Sequence, residues 1–189
     1  LKDTKRLKLP KTTLSAEELD TLMAKYPDLE VTYTLGLAGK EYTADTTSVD
    51  LSALPSNEIL AAAETLGRMP ELANVELMTA AGTSPLSLSD VQTLVDAAPQ
   101  ASFHYTFTLF DKTISTNDTQ VEFKNLSLTE ADIPALRSAL GVMTDCTAFI
   151  LDNCGLSSEQ MAQIRADYPR TELVWRIKFG KYSAMTNAE

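Results

Sequence analysis

The feature that most constrains this chain is a long internal repeat. The segment LSAEELDTLMAKYPDLEVTYTLGLAGKEYTADTTSVDLS, from Leu14, realigns on LSLSDVQTLVDAAPQASFHYTFTLFDKTISTNDTQVEFK, from Leu86, at an offset of 72 residues. It realigns again on LSSEQMAQIRADYPRTELVWRIKFGKYSAMTN, from Leu156, at an offset of 70. Three marks keep their places: a Leu-Ser pair (Leu14-Ser15, Leu86-Ser87, Leu156-Ser157), a Pro twelve residues after the Ser (Pro27, Pro99, Pro169), and a Lys after an alternating strand (Lys40, Lys112, Lys181). Self-similarity at a fixed offset is the mark of a chain built from duplicated supersecondary units.

Each mark has a local meaning. Ser15, Ser87 and Ser157 stand at helix N-cap positions, and Glu18, Asp90 and Gln160 three residues on can reach back to the cap. Leu19, Leu22 and Met23, then Val91, Leu94 and Val95, then Met161 and Ile164 follow at helical spacing, one apolar face per helix. Pro27, Pro99 and Pro169 end these helices, because proline lacks an amide hydrogen and disfavours helical geometry in the residue before it. The period then changes to two. Val31, Tyr33, Leu35 and Leu37, then Phe103, Tyr105, Phe107 and Leu109, then Leu173, Trp175, Ile177 and Phe179 define strands with one buried face. Thr32, Thr34, His104, Thr106, Thr108, Arg176 and Lys178 are their polar outward positions. The chain from each alternating strand through its GK-type turn to the VDL-type strand (Val49–Leu51) is compatible with a hairpin, giving a mixed sheet, or with a crossover, giving a parallel one.

Between these units runs a shorter window, apolar at positions 1, 4, 6 and 11, best seen in CTAFILDNCGL (Cys146, Phe149, Leu151, Cys154, Leu156). The same frame fits Leu7, Leu9 and Leu14; Val49, Leu51 and Leu54; Leu72, Val75 and Leu77; and Val121, Phe123, Leu126 and Leu128. The window resembles the leucine-rich repeat, whose short strand lines a concave face. The ladder position, Asn or Cys in that family, holds Thr12, Leu54, Ala80 and Leu126 in the other windows. The resemblance implies an α/β, LRR-like solenoid: repeated strand-helix units with an extra long strand per composite repeat of about 72 residues, in one elongated domain. Composite repeats then cover 14–85, 86–155 and, in part, 156–189, as a fragment of a longer protein. The YP…VxW…GK signature further resembles extracellular or cell-surface repeat proteins of Gram-positive bacteria, which implies a secreted or surface location.

Composition narrows the partners. With 16 Lys+Arg against 26 Asp+Glu the formal charge is −10 and the pI about 4.6. An acidic chain lacks the basic excess needed to displace counterions from nucleic acid or to settle on an anionic bilayer. The longest uninterrupted apolar run, Ile59 to Ala63, is far below the ~20 residues of a membrane span. Hydrophobic residues at 44% and charged residues at 22% are ordinary for a folded domain.

Catalytic chemistry finds little purchase. His104 is the sole histidine and falls on the polar side of a strand, so triads and histidine metal sites would all depend on it. No phosphate-cradling glycine motif is present, and Gly39-Lys40 and Gly180-Lys181 read as turns. Cys146 and Cys154 have no companions at zinc spacing and read as buried apolar positions, with a bridge between them the lesser alternative. No enzyme activity, cofactor or metal is expected. The candidate binding residues are those flanking the buried strand positions: Asp50, Glu76, Met78, Glu122, Lys124 and Asp152. If the strands stack in order, the four carboxylates form one row able to steer a basic partner, although keeping a sheet soluble explains them too. Tyr42 and Tyr182 are lesser anchor candidates, equally explained by core packing. The leading expectation is a non-catalytic extracellular module binding a protein or glycan through an extended sheet face. The alternatives are a structural spacer without a ligand and, less favoured, a carboxylate-dependent hydrolase.

Overall fold

A computed structural model describes residues 5–12, 14 and 16–187. Ser15, the first expected helix cap, lies outside the described residues. The elements run β1 (Arg6–Leu9), α1 (Ala16–Lys25), β2 (Glu30–Tyr33), β3 (Leu35–Leu37), β4 (Lys40–Tyr42), β5 (Ser48–Asp50), a 3-10 turn (Ser56–Glu58), α2 (Ile59–Leu66) and β6 (Asn74–Glu76). The same order then recurs: α3 (Leu88–Ala97), β7 (Ser102–His104), β8 (Thr106–Leu109), β9 (Lys112–Ser115), β10 (Gln120–Lys124), a 3-10 turn (Glu130–Asp132), α4 (Ile133–Val142) and β11 (Ala148–Asp152). It starts a third time with α5 (Ser158–Asp167), β12 (Glu172–Phe179) and β13 (Tyr182–Met185).

The pairing of the strands overturns the leucine-rich-repeat solenoid. Among the described residues the strands form five separate sheets: β1-β2, β3-β4, β5-β6-β7, β8-β9 and β10-β11-β12-β13. A solenoid of that family needs one continuous curved sheet to which every repeat adds a strand. Here no ladder joins β7 to β10, so the parallel sheet stops and starts again. The fold is a mixed α/β arrangement of discrete sheets, without a continuous curved face.

Each alternating segment serves two ladders, a parallel one in its first half and an antiparallel hairpin in its second. β7 pairs with β6 in parallel, whereas β8 pairs with β9 antiparallel. The Tyr105 amide at the junction donates to Thr116 Oγ1 at 2.9 Å, and Thr116 N–H donates back to Tyr105 O at 2.9 Å. A side-chain hydroxyl thus takes the amide at the point where the segment changes partner. The long strands expected at 31–37 and 103–109 are each split, into β2 and β3 and into β7 and β8, whereas β12 continues unbroken through the equivalent point. There too Trp175 N–H donates to Thr186 Oγ1 at 3.1 Å, and Thr186 N–H to Trp175 O at 2.9 Å. The VDL strand β5 and its counterpart β10 belong to no hairpin and pair in parallel with β6 and β11, while the alternating segments turn back on β4, β9 and β13 as hairpins. Their two-residue turns at Ala38-Gly39 and Phe110-Asp111 have both residues at positive φ, the geometry that matches strand twist.

Helix starts behave as local chemistry dictates. Ser87 with Asp90 and Ser157 with Gln160 form reciprocal capping boxes, and Thr129 with Asp132 does the same ahead of α4. Helices α2 to α5 and most strands from β3 onward share one apolar cluster that extends from Leu35 to Trp175 and includes Leu51, Leu66, Leu94, Phe103, Leu136 and Phe149, whereas Leu19 of α1 is buried outside it. Ile177 and Phe179, expected on a buried face, are instead 36% and 55% exposed.

Candidate functional site

Parallel pairing places short polar side chains in rows on the wet face of β5-β6-β7. Ser48 lies opposite Asn74, and Asn74 opposite Ser102; two residues on, Asp50 lies opposite Glu76, and Glu76 opposite His104. The intervening Val49, Val75 and Phe103 point into the core. Alternation on a pleated sheet requires this division. Ser48, Asn74, Ser102, Glu76 and His104 of these rows line an open depression of about 240 Å³, bordered also by Asn117.

The side chains there are held by one another. Asn117 Nδ2 donates to Ser102 Oγ at 2.8 Å and to Asp145 Oδ2 at 3.0 Å, and Ser102 Oγ donates to the same carboxylate. Glu76 Oε2 lies 2.8 Å from His104 Nδ1, and Glu76 Oε1 accepts from the Met78 amide at 2.8 Å. Lys40, from the first hairpin, reaches Asp50 Oδ2 at 2.8 Å, while Ser52 donates twice to Oδ1. The Lys40 hydrogen bond, with those from Ser52, holds the Asp50 carboxyl far below the usual range.

The second parallel sheet carries the other candidates differently. Glu122 lies opposite Ile150, and the residue opposite Asp152 is Lys124. Glu122 pairs along its own strand with Lys124 at 2.9 Å, which raises the Lys124 pKa. Asp152 takes Arg176 in a two-pronged ion pair, Nε to Oδ1 at 2.5 Å and Nη2 to Oδ2 at 2.9 Å. The hydrogen bond from Arg176 pulls the Asp152 pKa below the ordinary carboxylate value.

The carboxylates thus form no single row. Asp50 and Glu76 sit in one sheet, Glu122 and Asp152 in another, and each has a basic side chain beside it: Lys40, His104, Lys124 and Arg176 respectively. Met78 lies beyond the end of β6, packed on the core, with its sulfur accepting from the Thr106 amide at 3.4 Å. A frame flanking Leu51 and Leu77 passes over Ser48 and Asn74, and an alternation that starts at Phe103 passes over Ser102. The strands centre instead on Val49 and Val75, two residues earlier.

A second cavity, of about 300 Å³, opens where β11 and β12 end against the start of α5, lined in part by Asn153, Ser157, Trp175, Arg176 and Lys178. Its polar groups are largely committed: Arg176 to Asp152, Ser157 to the Gln160 cap, and Ser158 Oγ to Trp175 Nε1 at 3.3 Å. Gly155 on its rim has φ +88°, and a Cβ there would fall 2.6 Å from the Leu128 carbonyl oxygen, so only glycine fits the turn.

Cys146 and Cys154 are both buried and unbridged. Their thiols donate to Ala148 O at 3.3 Å and Phe123 O at 3.4 Å. Burial pushes both pKa values up, the opposite of what a reactive thiolate needs. Among the described residues no group of three or more His, Cys, Asp or Glu is placed to hold a metal ion, and no helix is long and apolar enough to cross a membrane. Tyr42 is half-buried against the core, whereas Tyr182 is 63% exposed. Compared with protein-family models, curated proteins and solved structures, the chain matches none.

Proposed function

We propose that this chain is a non-catalytic binding module of a secreted or surface-attached protein, which takes a protein or glycan partner on the open polar face of β5-β6-β7. One observation carries the reading. The face presents donors and acceptors at fixed spacing across three strands, with Ser102 and Asn117 anchored by Asp145 and Glu76 engaged by His104. Side chains ordered before binding lose little freedom on contact, which favours recognition. Hydrolysis by a carboxylate pair needs two carboxyl groups facing one bond across ~5–10 Å. Here the candidate carboxylates are engaged by basic neighbours instead, which supports binding over that chemistry.

The test is capture from two panels, immobilised glycans and extracellular proteins, by the wild-type chain and by Asn74→Arg. Asn74 is exposed, so a bulky cation there blocks the face without entering the core. Capture by the wild type and loss of at least tenfold in the variant is expected. Equal capture by both would refute the face, and no capture from either panel would leave the spacer as the better account. Immunodetection in culture medium and cell fractions checks the proposed location.

A further inference from the structure

The two parallel sheets are built alike, yet their outer faces differ. In β10-β11-β12 the positions matching Ser48, Asn74 and Ser102 hold Gln120, Ala148 and Glu172, and those matching Asp50, Glu76 and His104 hold Glu122, Ile150 and Val174. The second sheet thus pairs with three apolar residues where the first has Asn74, Glu76 and His104, so the ladder itself does not require the polar set. The groups presented by the first sheet are specific. Ser48 and Asn74 are exposed and make no side-chain hydrogen bond among the described residues, so a hydroxyl and a whole amide stand open. Asn117 commits its Nδ2 to Ser102 and Asp145, which leaves Oδ1 as an acceptor. His104 Nδ1 faces the Glu76 carboxylate, itself an acceptor, so in the neutral ring Nε2 is an acceptor too.

We infer that the partner of this face is an uncharged glycan held through neighbouring hydroxyl groups, an inference that rests on the binding role proposed above and narrows it. A hydroxyl carries one donor and two acceptor sites. Adjacent sugar hydroxyls therefore complement the mixed open donors and acceptors of Ser48, Asn74, Asn117 and His104. Those groups are spread over strands about 4.8 Å apart and rows about 7 Å apart, the reach of a few hydroxyls on a sugar chain. None of the residues lining the depression is aromatic, Met or Arg, the types that anchor protein interfaces. Glu76 lines the depression and Asp145 backs it through Ser102 and Asn117, in a chain of net charge −10, which disfavours carboxylated or sulfated sugars. With no ring to stack on, the face grips by hydrogen bonds, each of small net worth in water, so the dissociation constant is on the order of 1 mM.

Affinity electrophoresis suits binding of that strength: the full chain is run in native gels carrying a dissolved polysaccharide. Mannan, galactan, β-glucan and soluble xylan are the neutral probes, heparin and polygalacturonate the anionic ones. Retardation by at least one neutral probe and by neither anionic probe is expected. Its apparent affinity should fall about fivefold in Asn74→Ala and in His104→Ala, the worth of one hydrogen bond, and stay unchanged in Gln120→Ala on the second sheet. All three side chains are exposed, so the variants should keep the wild-type circular dichroism spectrum. Retardation by the anionic probes alone, or by a neutral probe equally in wild type and Asn74→Ala, would overturn the inference. Capture of an extracellular protein that Asn74→Arg abolishes, with no retardation by any polysaccharide, would overturn the glycan and uphold the face. Neither capture nor retardation would overturn both.

Discussion

Single side chains in this protein act mainly by pairing charge. Asp152 is the clearest case, because its side chain is only 19% exposed and Arg176 grips both oxygens. Its pKa is lowered in the folded chain from an ordinary value of 3.8. A carboxyl depressed by folding contributes stability that is complete above its unfolded pKa and is lost as pH falls through the folded one. Asp152→Asn should therefore destabilise the chain at pH 7, and the gap from wild type should close as pH drops below about 3.8. Urea unfolding of both proteins at several pH values measures this; a gap independent of pH would mean that Arg176 contributes packing alone. The pairing was invisible to spacing arguments, since Asp152 and Arg176 are 24 residues apart and meet only because β11 and β12 lie side by side.

Elements were more legible than partners. Helix caps depend on residues three apart, so Ser87 with Asp90 and Ser157 with Gln160 are readable from the chain and present in the fold. The Ser87 box reaches further than a cap, because Asp90 also accepts from Ser56 Oγ at 3.3 Å and so ties the turn before α2 to the start of α3. Ser87→Ala should cost about 1 kcal/mol, the usual worth of a cap, as read by the shift of the urea midpoint at constant slope. Strand lengths were less legible. Alternation at 103–109 is continuous in the amino acids, yet the segment divides at Tyr105, whose amide bonds the Thr116 hydroxyl, and its halves take different partners.

At the scale of the whole molecule, the separate sheets are joined by side chains rather than by ladders. One apolar cluster runs from Leu35 to Trp175, with Phe123 between Phe110 at 5.5 Å and Phe149 at 5.8 Å between ring centroids. A shared interior predicts one cooperative transition. Thermal unfolding followed by Trp175 fluorescence and by far-ultraviolet circular dichroism should give coincident midpoints. Phe149→Ala, which empties a fully buried position at a cost of about 3–5 kcal/mol, should lower both midpoints together. Separated midpoints would show that the sheets melt independently.

The amino-acid sequence by itself determined the repeated order of elements, the helix starts and the turns, because all of these rest on interactions within a few residues; the buried side of β12 did not follow, since Val174 is buried while Ile177 and Phe179 stay exposed. The window CTAFILDNCGL illustrates both the reach and the limit of such reading: Cys146, Phe149, Leu151 and Cys154 are all buried as its pattern requires, yet the continuous curved sheet implied by the resemblance is not formed. Tertiary structure alone decided which strands pair, which basic side chain stands beside each carboxylate, and how far each hairpin is covered. A strand's hydrogen-bonding edge is nearly the same for every sequence, so its partner is chosen by what the whole chain can bring alongside it.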